Sequence, residues 1–246
     1  MYINDLHILT YVIAGIIGLF VGQFIDWCNI RLPEYKKVLS RDFFREYLKN
    51  CKPKYLLMVI TAVSYIALLF FNGLNIDTVA YMFLVPMLIS AFAIDLKLQI
   101  IPNRLTLTIF ETGLVYTFVK TLLITGGGID IFIDSILGML TGGGIFLLIT
   151  LIGGAIAGKE AMGFGDVKLM GALGLFFGWL NMILISVMAF LFAAVVSIII
   201  LISRKKKISE YIPFGPFIVI ATMIPMYVST SNLFFILLKI FSLGTY

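Results

Sequence analysis

Long apolar runs separated by short polar breaks dominate the chain, and runs of about 20 such residues predict helices that cross a bilayer. They occupy about residues 8–25, 55–71, 78–94, 105–124 and 132–157. A sixth follows Gly163-Phe164-Gly165-Asp166 and extends to about Leu180, with Asn181 as its break, and a seventh covers about 182–203. The last apolar region begins at Pro213-Phe214-Gly215-Pro216 and continues to the C-terminus, with Ser229-Thr230-Ser231-Asn232 as an interruption. Turn residues mark the breaks: Asn72-Gly73-Leu74-Asn75, Gly126-Gly127-Gly128, and Pro102, which disfavours helix at Ile101. Gly138 and Gly142-Gly143-Gly144, at four-residue spacing, predict that another helix approaches the fifth run closely. The first run has neither a basic segment before it nor a small-residue cleavage site, so it is expected to be a retained span rather than a signal peptide. The pattern predicts an all-α, polytopic integral membrane protein of about eight transmembrane helices. Its 246 residues leave no room for a separate soluble domain.

Composition supports a bilayer as the solvent. Hydrophobic residues make up 61% and charged residues only 13%, with a mean hydropathy of +1.09, far from the quarter or so charged residues of a soluble domain. The formal charge of +5 comes from 18 Lys+Arg against 13 Asp+Glu. In a chain of this kind a basic balance reports topology, not nucleic-acid binding. With the N-terminus outside and every run crossing once, the inside holds residues 26–54, 95–104, 158–168 and 203–212. Those segments contain sixteen of the eighteen Lys+Arg, leaving only Lys120 and Lys239 elsewhere. The asymmetry fits a cytoplasmic face at that end. Residues 29–54 form the one long polar segment, a short basic cytoplasmic loop. Within it, 38–48 mixes Phe43, Phe44, Tyr47 and Leu48 with charges, which fits either an amphipathic helix on the bilayer or a solvated loop. Cys28 and Cys51 have no second cysteine at metal-site spacing, so no zinc site is expected.

Most acids have ordinary explanations in loops and turns. Three do not. Glu111 lies inside the fourth run, about two turns from Arg104, either as a satisfied structural acid or as a partner for a polar group or substrate amine. Asp95 and Asp166 fall on the same side, at membrane-edge depth, each at a helix terminus. Asp166 follows two glycines and opens a helix, where unsatisfied N–H groups face a carboxylate. If the two acids approach within a few ångströms, a shared proton would leave one group as general base and the other as general acid for attack of water on a peptide carbonyl. An N-cap at Asp166 and an interfacial acid at Asp95 explain the same spacing.

At these residues the chain resembles a known family. Gly163-Phe164-Gly165-Asp166-Val167-Lys168-Leu169 resembles the Gly-x-Gly-Asp signature of the type IV prepilin peptidases, intramembrane aspartic proteases. Asp95 through Pro102, with Leu105-Thr106, is similar to that family's first catalytic segment. Gly22-Gln23-Phe24-Ile25 and Arg31-Leu32-Pro33 resemble its N-terminal Gly-Ser-Phe-Leu-Asn…Arg-Leu-Pro pattern, with Gln23 in place of Ser and Asp26 in place of Asn. Ile212-Pro213-Phe214-Gly215-Pro216-Phe217 is similar to its late Pro-Phe-Gly-Pro motif. The four matches fall in family order.

The resemblance implies a single membrane-embedded peptidase domain over residues 1–246, in a bacterial plasma membrane. It implies cleavage of basic leader peptides from prepilins and pseudopilins on the cytoplasmic side, with Asp95 and Asp166 catalytic and no metal in proteolysis. Gly163 and Gly165 would let a substrate backbone approach the acid, or serve only the turn. Pro213 and Gly215 would shape the substrate groove or simply begin the last span. Many members also methylate the new N-terminal amine with S-adenosylmethionine, using a longer loop with two Cys-x-x-Cys pairs. Here residues 29–54 stand in place of that region, and the chain offers only Cys28 and Cys51, so methylation is expected to be absent or weak. Two other functions stay open: a signal-peptide-peptidase-like protease of the Gly-x-Gly-Asp type, and a transporter or scaffold whose acids bind cations or shuttle protons.

Overall fold

The computed structural model describes residues 2–4, 6–38, 40, 42–43, 47, 52–124, 128–158, 162–202 and 212–241. Cys51, Gly126, Gly127, most of the loop before Met162 and the basic residues 204–207 lie outside the described residues. A two-stranded hairpin, β1 (Tyr2–Ile3) with β2 (Leu6–His7), precedes the helices. Then come α1 (Ile8–Arg31), α2 (Tyr55–Asn72), α3 (Ile76–Leu98), α4 (Asn103–Leu123) and α5 (Gly128–Ala157). They are followed by α6 (Phe164–Ile202), α7 (Gly215–Met223), a short 3-10 turn (Ile224–Met226) and α8 (Thr230–Phe241).

The protein is an all-α, polytopic membrane protein. Large apolar side chains such as Phe20, Leu56 and Ile156 point outward, and a contiguous apolar exterior of this kind suits hydrocarbon rather than water. Among the described residues, length and apolarity identify five membrane-crossing helices, or six if the bent α7–α8 pair is one span. These criteria do not by themselves yield the expected eight. One reason is α4, which carries Arg104, Glu111 and Lys120. Another is α6, which is counted once although its two legs run in opposite directions. Gly178 interrupts it at φ 73°, ψ 172°. A Cβ on Gly138 of α5 would meet Gly174 and Gly178, whereas one on Gly142 would meet Met170 on the first leg and Met182 on the second. Phe146 then stacks near Phe190, with ring centroids 5.4 Å apart. The first leg is therefore antiparallel to α5 and the second parallel to it. The break falls at Gly178, earlier than the Asn181 expected, because the turn needs a backbone conformation that only glycine adopts readily.

Small residues set the closest helix contacts. Gly18 and Gly22 of α1 lie against the backbone of α2 at Ala62 and Met58, and Gly138 of α5 lies against Gly174 of α6. Such approaches let backbones pack where hydrophobic burial cannot drive association. At one end of the bundle, Asn72 donates to the Met226 carbonyl (2.7 Å) and Thr230 to Asn181 (2.8 Å). At the other end, Arg104 donates to the carbonyls of Tyr35 and Lys36, and Lys168 to Asn103 (2.9 Å). Chain crossings thus alternate, and the starts of α4, α6 and α7 gather at the end that holds Asp95.

Candidate active site

Asp95 sits in the last turn of α3, which continues four residues further than the apolar run suggested and closes on Gln99 in the left-handed conformation (φ 55°, ψ 35°). Asp166 sits in the first turn of α6, its N–H donating to the Gly163 carbonyl (3.0 Å). Both acids are only 4% exposed. Burial of this degree is rare for aspartate unless it is partnered.

The Pro-Phe-Gly-Pro segment supplies a partner. Phe214 is held in an aromatic cluster, with ring centroids 5.0 Å from Phe190 and 5.8 Å from Phe146. It stands at the N-cap of α7, where Phe217 and Ile218 N–H groups donate to its carbonyl. Gly215 is therefore in the first turn, and its N–H has no helical acceptor. That N–H donates to Asp95 Oδ2 at 2.9 Å, across 120 residues of sequence. A Cβ on Gly215 would stand 2.6 Å from the same oxygen, so the approach requires glycine. Pro216, the next residue, lacks an N–H and costs the helix nothing there.

On the α6 side, Gly163 and Gly165 are half-buried, and a Cβ on Gly165 would lie 3.2 Å from the Ile101 side chain. The Gly-x-Gly-Asp turn is thus packed against the connection that follows Asp95. The Lys168 bond to Asn103 ties the same two segments together, while its ammonium lies 5.1 Å from the Phe164 ring. Asp95, Asp166, Gly163, Gly165 and Gly215 are therefore neighbours at one end of the bundle, with half-buried Pro213 just before α7. Glu111 is elsewhere: it lies on an apolar groove between α3 and α4 with Val79, Val115 and Val119. Sequence reasoning gave no role to Asn103. The signal was a polar residue directly after Pro102, where a helix starts.

A groove of about 450 Å³ opens between α4 and the first leg of α6, lined by Asn103, Thr106, Leu107, Phe110, Lys168 and Gly171; neither Asp95 nor Asp166 lines it.

Comparison with known proteins adds a lineage to this geometry. Residues 82–198 match the type IV leader peptidase family. That stretch, a little under half of the chain, is similar to that family. It is 29% identical over 171 residues to the prepilin leader peptidase/N-methyltransferase of Aeromonas hydrophila, covering 70% of this chain and 57% of that protein. Its identity to the Pectobacterium carotovorum subsp. carotovorum protein of the same name is 30% over 180 residues, or 72% of this chain and 61% of the relative. The Xanthomonas campestris pv. campestris protein of that name is 26% identical over 204 residues, 81% and 67% of the two lengths. The chain spans little more than half the length of the Aeromonas hydrophila relative it matches. No solved structure matches it. The family match contains Asp95, Glu111, Gly163, Gly165 and Asp166; Pro213, Gly215 and residues 29–54 lie beyond it.

Proposed function

We propose that the protein is a membrane aspartic endopeptidase that removes leader peptides from type IV prepilins and pseudopilins, using Asp95 and Asp166 as a pair. The observation that carries this is the burial of two carboxyls, from helices far apart in sequence, at one end of the bundle, where Gly165 packs on Ile101 and Lys168 bonds Asn103. The family match supports the reaction class, and the relatives' names support the substrate class. The distribution of Lys and Arg supports a cytoplasmic location for that end, in the bacterial plasma membrane.

In the proposed reaction, one ionised carboxylate takes a proton from water while the resulting hydroxide adds to the scissile carbonyl carbon. The other carboxyl donates its proton to the carbonyl oxygen. Collapse of the tetrahedral intermediate breaks the C–N bond, and the proton held by the base passes to the leaving amine. Asp95 Oδ2 accepts from Gly215, so the shared proton resides on one of the other three carboxyl oxygens. Gly215 thereby orients one acid without competing for the transferred proton. Proteolysis by this route requires no metal.

Processing of a prepilin by Asp95→Asn and Asp166→Asn variants in membranes tests the pair. Each variant is expected to lose cleavage while remaining folded. Folded variants that still cut the leader would refute the assignment, and cleavage of signal-peptide remnants in preference to prepilins would favour the other Gly-x-Gly-Asp chemistry. For the second activity in the relatives' names, we propose that methylation is absent or weak, because residues 29–54 carry no Cys-x-x-Cys pair. Robust methyl transfer from S-adenosylmethionine to a processed pilin by the purified protein would overturn this.

A further inference from the structure

Glu111 lies near the middle of α4, seven residues after Arg104 and nine before Lys120. At about 1.5 Å per residue it stands roughly 10 Å from one charged end and 14 Å from the other. Both ends are anchored. Arg104 bonds the carbonyls of Tyr35 and Lys36, and Lys120 pairs with Asp77 at 2.8 Å. Glu111 has no such anchor: among the described residues it makes no hydrogen bond and no ion pair. It is exposed, and the residues sharing its face, Leu107, Val115 and Phe118, are 54%, 63% and 59% exposed. This stripe faces outward at the depth of hydrocarbon.

The carboxyl also borders a cavity. A groove of about 800 Å³ runs between α3 and α4, and its other walls are mostly apolar, with Val79, Phe83, Val115 and Val119 beside the polar Asn75 and Thr112. A carboxylate facing lipid without a partner is costly, and such residues face a bundle interior or pair with another charge. Here the groove supplies apolar contact area and the acid supplies one charge. Among the described residues no free cation is placed to answer it, since Lys120 is engaged with Asp77 and Tyr116. The complementary object is an apolar helix with one positive charge part-way along.

We propose that the α3–α4 groove docks one transmembrane helix of another protein, carrying a lysine or arginine at mid-bilayer depth that pairs with Glu111. Apolar side chains of that helix fill the groove, and the ion pair sets its register and depth. The contact is distinct from the Asp95 end of the bundle, so it neither requires nor excludes proteolysis.

The test uses the full chain in phosphatidylcholine vesicles with synthetic 23-residue Leu/Ala helices, read by energy transfer from labelled peptide to labelled protein. One peptide has a central lysine, one a central leucine, and one a lysine near its end. The central-lysine peptide is expected to bind about tenfold more tightly than either control. Glu111→Gln, which keeps the side chain's shape, and Glu111→Leu are each expected to erase that preference with thermal unfolding unchanged. Equal binding of the lysine and leucine peptides would overturn the proposal, as would a preference that survives in both variants. Failure of every peptide to bind while labelled copies of the chain associate through Glu111 would overturn it in favour of self-association.

Discussion

Gly215→Ala probes the link between α7 and Asp95 through a single methyl group. The added Cβ would stand 2.6 Å from Asp95 Oδ2 and 3.0 Å from its Cγ, whereas ordinary contact begins near 3.4 Å. Relief requires a movement of about 0.8 Å, and Asp95 has little room for it: Ala91 and Ile94 on the same helix are 0% and 2% exposed. Opening the gap by that amount stretches the 2.9 Å bond from Gly215 N beyond any useful hydrogen-bond distance. Loss of a hydrogen bond to a charged acceptor costs about 1.5–3 kcal/mol. At about 1.4 kcal/mol per decade, the proposed cleavage should slow about 10- to 100-fold in kcat. KM should change little, because the perturbed group is assigned to the reacting atoms rather than to distant substrate contacts. Initial rates of prepilin processing by purified enzyme in lipid, with thermal unfolding of the same samples, supply both readouts. Gly165→Ala is the comparison: its Cβ meets the Ile101 side chain at 3.2 Å, which needs only a few tenths of an ångström. It should retain most activity. A folded Gly215→Ala protein with kcat within about threefold of wild type would refute the orienting role of Gly215.

Gly178→Ala should destabilise the α6 hairpin. The position combines φ 73° with ψ 172°, and a Cβ would collide with the Asp134 carboxylate, which accepts a long bond from Trp179 N–H. Backbone strain of that kind costs about 1–3 kcal/mol, readable as a fall in the thermal midpoint; an unchanged midpoint would mean that the turn adapts freely. Tyr47→Phe removes the hydroxyl that donates to Asp26 (2.8 Å) and accepts from Gln23 (2.8 Å). The loss, about 1–2 kcal/mol, should speed proteolytic nicking within residues 29–54 by about fivefold or more, and an unaltered rate would show that other contacts hold the loop.

Helices were legible where apolarity and helicity coincide. The second, fourth and fifth runs end within a few residues of α2, α4 and α5 because loops in a membrane protein begin where hydrocarbon ends. They diverge where a helix continues past the bilayer. α1 runs to Arg31, past the expected Ile25, and contains Gln23, Asp26 and Asn29. Hydropathy reports the solvent, whereas helicity needs only satisfied backbone bonds. The Gly-x-Gly-Asp turn and the acid after the third run were visible as unusual charges. The Gly215 bond to Asp95 was not, since it joins residues 120 apart through the packing of Phe214 among aromatic rings. Nothing in the local sequence of either segment encodes that distance.

The two positions where α1 departs from the resembled pattern have a common structural explanation. Gln23 is long enough for its amide to reach two groups, donating to Tyr47 Oη and accepting from Lys54 N–H at 3.0 Å. A serine's hydroxyl lies two bonds closer to the backbone and could not span both. Asp26 accepts from the same Tyr47 hydroxyl. Around this bond the rings of Phe24, Trp27, Phe43 and Tyr47 pack with centroids 5.0–5.7 Å apart. Arg31 lies 4.0 Å over Trp27 and pairs with Asp42 at 2.8 Å. The start of the loop is in turn tied to α4 through Arg104 and the carbonyls of Tyr35 and Lys36. The described parts of residues 29–54 are thus organised by side-chain hydrogen bonds and aromatic packing on α1. A change at Gln23 or Asp26 should therefore be felt first in the loop. Among the described residues, Arg104 links that loop to the start of α4, next to the connection after Asp95.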